Sequence, residues 1–495
     1  METWTLQLNP KYTNVGKDDA QKFHPYSASD VVRENRKVFA GSGKPPMYGD
    51  FEAQRHWMEI TFHLLPSQWY VNGSDNDLLY WGLDYPPLTA YHSYFMGILA
   101  NSLNPAWVAL NTSKGIQNEA HKMFMRVTAI LPFHLIYAPS LIYFVYFEVK
   151  TKDISKNLLL ALTLLYPGLL TIDNAHFQYN NVSLGLFLFS FLFFINGKFL
   201  FGSVSFVLAL NYKQMELYHA LPIFTFILSR CLKRPILTNC IGSARSLLKV
   251  AATVMLTFAI MWLPFLYNGP QSVLAALGRI FPFYRGLYED KVASVWCAFS
   301  FILRMNTYFS VDMQVKISAV SVLLVVTPSL FLLFLRPTTK NFTLSLLITS
   351  LGFFLFSFQV HEKSILLAAI PALLLLPDYQ VVVVWFLHIT NTSLFSLCLK
   401  DDTGLIFALF IGYYVVCSST VKFPRKPLLA VYHLSCLGAL AICVAEWTLT
   451  PPRRYPHIFP LLNAIYSCSH FLLFMAYFYV EMIRNEYEVL IRKSL

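Results

Sequence analysis

The stretch Asp312–Leu335, DMQVKISAVSVLLVVTPSLFLLFL, carries no charge after Lys316. As a helix rising about 1.5 Å per residue it is long enough to cross the roughly 30 Å hydrocarbon core of a bilayer. Comparable apolar runs occupy 124–149, 157–172, 182–195, 199–210, 219–232, 250–267, 342–358, 365–376, 381–399, 405–420, 428–448 and 461–483. The chain therefore reads as an all-α polytopic membrane protein with about 13 transmembrane helices. Several runs fall short of the usual ~20 residues. Such spans are expected to be tilted, broken, or extended by polar residues that face the protein interior.

Composition agrees. Of 495 residues 56% are hydrophobic, 16% aromatic and only 13% charged, with a mean hydropathy of +0.50. These values exclude a soluble multidomain chain. The net charge of +11 then belongs to short loops between spans, where it reports orientation, and not to a nucleic-acid surface. Cys231, Cys398, Cys417, Cys436, Cys443 and Cys468 sit in or beside apolar runs without a CxxC pair. They read as small packing residues.

Threading the runs back and forth places Lys150, Lys152, Lys156, Arg230, Lys233, Arg234, Arg245, Lys249, Arg336, Lys340, Lys422, Arg425, Lys426, Arg484, Arg492 and Lys493 on one side. That side is cytosolic by the positive-inside rule. The other side receives everything before 124, the turns 173–181 and 211–218, the loop 268–311 and the turn 359–364. Pro86–Leu103 is apolar over much of its length, but as a span it would turn the basic loops outward. It is read as a helix on the membrane surface, with Tyr91 and Trp107 at the interface. The sequons at Asn72 and Asn111 then fall on the non-cytosolic side. The C-terminal Arg492-Lys493-Ser494-Leu495 resembles a dilysine-type retrieval signal, and a basic tail alone explains it too.

The polar chemistry concentrates on the non-cytosolic side, first in Gly49-Asp50-Phe51-Glu52-Ala53-Gln54-Arg55-His56-Trp57 and then in Tyr80-Trp81-Gly82-Leu83-Asp84-Tyr85-Pro86-Pro87. Aromatic rings and carboxylates in one loop suit carbohydrate, whose faces stack and whose hydroxyls donate. Glu52, Arg55, His56 and Glu59 also recur at helical spacing, so an exposed helix with local ion pairs explains them equally. No His or Cys spacing suggests a bound metal.

The strings GDFEAQRHWMEIT and YWGLDYPPLTAYHS resemble the first luminal loop of the dolichyl-phosphate-glucose-dependent alpha-1,3-glucosyltransferases of the endoplasmic reticulum, which have the GT-C fold. HFQYNNVSLG from His176, NYKQMELYHA from Asn211, FPFYRGLYEDKVA from Phe281 and FSFQVHEKSILL from Phe356 are similar to that family as well, in family order. The resemblance implies an endoplasmic reticulum membrane enzyme with a luminal site and a cytosolic C-terminus. Its partners are dolichyl phosphate glucose, a dolichyl-diphosphate-linked oligosaccharide and the lipid bilayer. Two paralogous activities share the architecture, addition of the first glucose to a nine-mannose acceptor and addition of the second. The fuller motifs here resemble the first-glucose enzyme more, leaving the second-glucose enzyme as runner-up.

In the family the donor is beta-linked and the product alpha-linked, which implies one inverting displacement. That requires a base for the acceptor hydroxyl and no covalent nucleophile. The resemblance assigns the base to Asp50 and places His361, in the turn His361-Glu362-Lys363, beside the donor phosphate, whose departing charge needs cationic or hydrogen-bond donors. By charge pattern alone that turn is a polar connection between helices. Glu52, Arg55, His56, Trp81, Asp84, Tyr85, Lys213, Glu216, Arg285 and Lys363 are further candidates for binding substrate. Asp84 alternatively fixes its turn, Lys213 and Glu216 alternatively pair locally, and Arg285 with Asp290 alternatively caps its loop. His176, Gln178 and Tyr179 form either a luminal polar cluster or a satisfied helix terminus. A donor carrying a monophosphate implies transfer without a metal or other cofactor.

The chain divides into a polar segment 1–42, a catalytic loop with surface helices over 43–123, and the membrane domain 124–495. The family normally has a transmembrane helix directly before the catalytic loop. Residues 1–42 hold no such run and instead carry Lys11, Lys17, Lys22, Arg33, Arg36 and Lys37. A multi-span transporter is the rival from another class. It predicts inverted repeats and charges near span centres, whereas the charges here gather at span ends.

Overall fold

The computed structural model describes residues 45–116, 118–150, 153–232, 239–281, 291–300, 302, 305–401 and 403–494. The expectations for residues 1–42, for Arg285 and Asp290, and for Lys152, Lys233 and Arg234 lie outside them. The side chains of the C-terminal basic motif do too. The described chain is helical throughout its regular structure. Its principal helices are α1 (Gly49–His63), α2 (Pro87–Leu103), α3 (Glu119–Glu148), α4 (Lys156–Ala175), α5 (Asn180–Ile195), α6 (Phe199–Tyr212), α7 (Leu217–Cys231) and α8 (Cys240–Tyr267). They continue as α9 (Pro270–Ile280), α10 (Val311–Leu335), α11 (Thr339–Phe356), α12 (Leu366–Leu375), α13 (Gln380–Lys400), α14 (Phe407–Thr420), α15 (Lys426–Thr448) and α16 (Ile458–Ser494). Each of the apolar runs read from the sequence overlaps one of these helices. Eight of them, α3, α4, α8, α10, α11, α13, α15 and α16, are long and apolar enough to cross a membrane.

Burial separates a protein-lined centre from a lipid-facing rim. In α11 and α13, 78% of the apolar window is buried inside the protein, against 17% in α8 and 28% in α10. α12 is buried along its whole length in the main core, which also takes in Phe187, Phe191, Phe226, Phe342, Phe354, Phe386, Phe471 and Phe478. Ten residues reach only about 15 Å, half the thickness of the hydrocarbon. That is tolerable because backbone ends at membrane depth are acceptable where protein, not lipid, surrounds them. The short helix leaves the Glu362–Ile365 turn recessed above it. All eight cysteines are free, and only Cys240 is exposed, in keeping with a packing role for the other seven.

α1 and α2 form a separate layer over one end of the bundle. They cross closely at Gly97, where a Cβ would stand 2.7 Å from the Met58 carbonyl oxygen. α2 presents Tyr94, Phe95, Ile98, Leu99 and Leu103 outward, a stripe suited to an interfacial helix. It docks inward through Tyr91, which donates to the Met261 carbonyl at 2.7 Å, and His92, 2.7 Å from the Tyr212 hydroxyl. Burial also pushes the His92 imidazole down to about 4. Trp107 departs from its expected place at the membrane interface. It is 6% exposed and packs against His121 and Phe124, because the turn after α2 folds back onto the start of α3.

The loop 81–86 is pinned from several elements. Trp57 Nε1 donates to the Trp81 carbonyl at 2.9 Å, Tyr70 Oη to the Tyr85 carbonyl at 2.7 Å, and Arg279 of α9 to the Gly82 carbonyl at 3.0 Å. Gln214 Nε2 reaches the Asp84 carbonyl at 3.2 Å. Backbone carbonyls without a ladder are satisfied here by side chains from four directions, which fixes the loop without regular structure.

Candidate active site

Asp50 enters the site through local backbone geometry. Tyr48 and Gly49 have φ of 57° and 74°, a left-handed turn that swings the chain into α1 and leaves Asp50 in its first turn. Exposed amide N–H groups there favour a carboxylate. Facing it are turns from distant parts of the sequence: His176 and Gln178 between α4 and α5, Lys213 between α6 and α7, Lys363 ahead of α12, and Asp401 after α13. Because successive helices alternate in direction, all of these turns emerge at the same end of the bundle as α1.

The contacts centre on one carboxylate oxygen. Asp50 Oδ2 accepts from Lys363 Nζ at 2.8 Å and from Gln178 Nε2 at 2.6 Å, and lies 2.9 Å from His176 Nε2. Among the described residues, none donates to Oδ1. His176 Nδ1 donates in turn to Asp401 Oδ2. Gln178 Oε1 accepts from Lys213 Nζ at 2.7 Å, and the same ammonium reaches Asn180 Oδ1 at 2.5 Å. Asn180 Nδ2 donates to Asp173 Oδ1 at 2.6 Å. The chain Asp173–Asn180–Lys213–Gln178–Asp50 is thus one continuous network, with Lys363 and the His176–Asp401 pair joining at Asp50.

Burial disfavours ionisation of Asp50, but the charges of Lys363 and His176 outweigh it and hold the carboxyl well below the usual range. His176 shows the reverse case. Burial and the Lys363 charge oppose its protonation, and the carboxylates of Asp50 and Asp401 prevail to raise it. Burial, aided by Lys363, pushes Lys213 down to about 8. Its ammonium makes its hydrogen bonds to amide oxygens and sits 4.9 Å from the centre of the Tyr85 ring, a cation–π contact. Gln54, Tyr85, Thr89, Gln178, Tyr179, Tyr212 and Lys213 line a small cavity of about 10 Å³ beside the network, room for about one water. Its walls mix aromatic rings with amide and ammonium groups.

The structure distributes the candidate residues unevenly. Asp50, Lys363, Lys213 and Tyr85 come together in the network and its cavity. Trp81 borders the loop, its indole N–H donating to the Met47 carbonyl at 2.6 Å, and Asp84 stands beside Tyr85 with its charge felt at Lys213. His361 lies at the rim with a 44% exposed side chain, its Nδ1 2.9 Å from Glu362 Oε2. Burial would raise Glu362, yet His361 and Lys400 bring it down to about 2.

Glu52, Arg55, His56 and Glu59 make a different unit. The expected alternative of an exposed ion-paired helix is overturned: α1 is buried from Phe51 through Thr61, covered by α2 and the loop 105–116. Arg55, fully buried, bonds Glu52 Oε1 at 2.7 Å and Ser113 Oγ at 2.5 Å and lies 2.7 Å from Glu59 Oε2. Tyr80 Oη donates to Glu52 Oε1 at 2.8 Å, and the Asn111 N–H to Glu59 Oε1 at 2.7 Å. His56 Nδ1 is 3.4 Å from Glu59 Oε2. Lys213 and Glu216 do not pair locally either. Glu216 accepts from Ser183 Oγ at 2.6 Å and meets His219 Nδ1 at 2.8 Å, fully buried.

Asp401, Asn180 and Asp173 were not singled out by sequence. The signal for Asp401 was parity: the Lys400–Thr403 turn joins two apolar runs on the same side as Asp50. Among the described residues, no group of three His, Cys, Asp or Glu side chains converges so as to hold a metal ion.

The comparison with known proteins fits this geometry. The profile of the ALG6, ALG8 glycosyltransferase family matches residues 31–477. The chain belongs to that family. A relative from Caenorhabditis elegans, named probable dolichyl pyrophosphate Man9GlcNAc2 alpha-1,3-glucosyltransferase, is 54% identical over 439 residues, covering 88% of this chain and 84% of the relative. The Gallus gallus protein of the same name, without "probable", is 41% identical over 473 residues, covering 89% and 92%. A Drosophila melanogaster relative with the C. elegans name is 41% identical, covering 90% and 95%. The family match spans every turn that meets at Asp50, so the polar network is built wholly from the glycosyltransferase region.

Proposed function

We propose that this multi-pass membrane glycosyltransferase moves the first glucose from dolichyl phosphate glucose, in alpha-1,3 linkage, onto the terminal mannose of a nine-mannose oligosaccharide carried on dolichyl diphosphate. The observation that carries the reading is the Asp50 carboxylate, its Oδ2 bonded by Lys363 and Gln178 with His176 Nε2 at 2.9 Å, and its Oδ1 without a donor among the described residues. Relatives at 41–54% identity bear Man9GlcNAc2 in their names, which favours the first-glucose acceptor over the monoglucosylated one.

The acceptor hydroxyl oxygen attacks the anomeric carbon as the bond from that carbon to the lipid phosphate oxygen breaks, the bonding pair leaving with the phosphate. The hydroxyl proton passes to Asp50, and the beta donor becomes an alpha product. A carboxylate stabilised by two hydrogen-bond donors and the nearby His176 ring is a weak base. It gains strength when Lys363 turns to the donor phosphate, where a cation is worth most as charge develops. His361, at the rim one residue before Glu362, is placed to meet the same phosphate. The reaction needs no metal, because a monoester-like leaving group is served by these cations.

By the alternation of helix direction, Lys150, Lys156, Arg336, Lys340, Lys422, Arg425 and Lys426 belong to the turns opposite those that meet at Asp50. The positive-inside rule makes that end cytosolic and the site luminal, with the C-terminus cytosolic and the endoplasmic reticulum the host membrane. The test is transfer from dolichyl phosphate glucose by the purified full chain, and by Asp50→Asn, to nine-mannose and to monoglucosylated acceptors. Loss of a general base typically costs about 10²–10⁴-fold in rate. Undiminished transfer by Asp50→Asn removes Asp50 as base, and reaction only with the monoglucosylated acceptor assigns the second-glucose activity.

A further inference from the structure

The turn that follows α13 is placed to act on the site from behind. It closes the helix through the Asp401 N–H to the Leu397 carbonyl at 3.2 Å and the Thr403 N–H to the Cys398 carbonyl at 2.9 Å, so Lys400 and Asp401 project from a fixed base. Asp401 Oδ2 accepts a hydrogen bond from His176 Nδ1, and the two side chains are only 11% and 8% exposed. Lys400 Nζ stands 3.6 Å from Glu362 Oε1, and Glu362 in turn holds His361 Nδ1. One turn therefore reaches both histidines that flank the reacting centre, each through a carboxylate on Nδ1.

We propose that Asp401 is a positioning residue for the transfer reaction: by binding His176 at Nδ1 it holds the ring with Nε2 2.9 Å from Asp50 Oδ2 and leaves Oδ1 to the acceptor hydroxyl. The inference rests on the reading of Asp50 as base. An imidazole has two ring nitrogens, and a carboxylate on one fixes both the ring's orientation and which nitrogen carries the other proton. Without Asp401 the His176 ring is free to turn, and Oδ2 loses one of its holders. Asp401 also favours the imidazolium form. The charged and titratable groups facing His176 are Asp50, Asp401 and Lys363, and those facing Asp50 are Lys363 and His176, with Lys213 one amide further away through Gln178. Replacing the Asp401 carboxylate by an amide lowers the affinity of His176 for its second proton. Asp50 then loses part of the positive charge that keeps it ionised, and its protonation moves to higher pH.

The experiment uses the full chain in lipid nanodiscs, with dolichyl phosphate glucose and the nine-mannose acceptor, measuring kcat and KM from acid to alkaline pH for the parent, Asp401→Asn and Asp401→Glu. Carboxylates behind functional histidines at metal sites are typically worth ~10–100-fold, and a loss of that order in kcat is expected for Asp401→Asn. Its acid limb should move to higher pH, the donor KM should stay near that of the parent, and Asp401→Glu should restore both rate and profile in large part. A loss equal at every pH, a loss shared by Asp401→Glu together with a lowered melting temperature, or no loss at all overturns the proposal. A parent that transfers no glucose sinks the underlying reading and this inference with it, whereas an active parent with an unmoved Asp401→Asn profile sinks the inference alone.

Discussion

Replacing Arg55 by methionine separates a structural from a substrate-binding role for the charged face of α1. The guanidinium is fully buried and bridges two carboxylates, 2.7 Å from Glu52 Oε1 and 2.7 Å from Glu59 Oε2. Methionine fills much of the volume and leaves both acids without their cation. Removing one partner of a buried pair costs about 3–5 kcal/mol. Glu59 offers an independent check: burial raises its carboxyl, but His56 and Arg55 bring it from 4.5 down to about 2. An acid bound that much more weakly to its proton in the folded chain contributes about 3 kcal/mol at neutral pH. Because the folded value is depressed, that contribution is complete above pH 4.5 and disappears as the pH falls toward 2. Either figure is a large part of a typical ~5–15 kcal/mol of stability. Thermal unfolding of detergent-purified protein should show Arg55→Met strongly destabilised at pH 7, Arg55→Lys less so, and the gap from the parent shrinking as pH falls below 4.5. Arg55→Met with the parent's melting temperature and a raised acceptor KM would refute the structural assignment and return Arg55 to the substrate.

Three further outcomes follow from the same geometry. Lys363→Met should lower kcat by about 10²–10³-fold, the usual loss for one donor to a developing charge. The Lys213 ammonium, pushed down to about 8 by burial and by Lys363, should lose its charge above that pH. Transfer should therefore fall on the alkaline side, and Lys213→Arg, if it folds, should extend the plateau of the pH–rate profile. Gly97→Val should cost about 1–3 kcal/mol by overpacking, since its Cβ would meet the Met58 carbonyl at 2.7 Å and backbone cannot rotate away. Its effect should appear in the melting temperature and in activity together, because α1 carries Asp50.

The membrane architecture was legible because lipid imposes a blunt rule: long uncharged runs must be helices and charges must gather at their ends. The limits of that rule appear at α12. An apolar run of a dozen residues looks like a deficient span, and only the surrounding α11 and α13 explain why so short a helix is stable. Glu52, Arg55 and Glu59 show a different limit. Spacing of three and four states which side chains can reach one another on a helix, but it is the same for a solvated face and for a buried ion pair. Coverage by α2 and the loop 105–116 decided between them. Trp107 fails to reach the interface for the same reason, as its partners His121 and Phe124 are supplied by a fold-back that local sequence does not announce.

Asp401 marks where reading along the chain runs out and reading across it begins. A Lys-Asp-Asp turn between apolar runs resembles any solvated connection, and its partner His176 lies 225 residues away. What brings them together is the alternation of helix direction, which sends the turns after α4, α6, α11 and α13 to one end of the bundle. A carboxylate held at Oδ2 by side chains from the α4–α5 turn and the approach to α12 keeps its geometry only while those helices keep their places in the bundle. A short α12 recessed within protein can hold Lys363 in place with no contact to lipid. The length of that helix therefore bears on the chemistry at Asp50, and lengthening α12 by one turn would lift Lys363 by about 5.4 Å, beyond reach of the carboxylate it now holds at 2.8 Å.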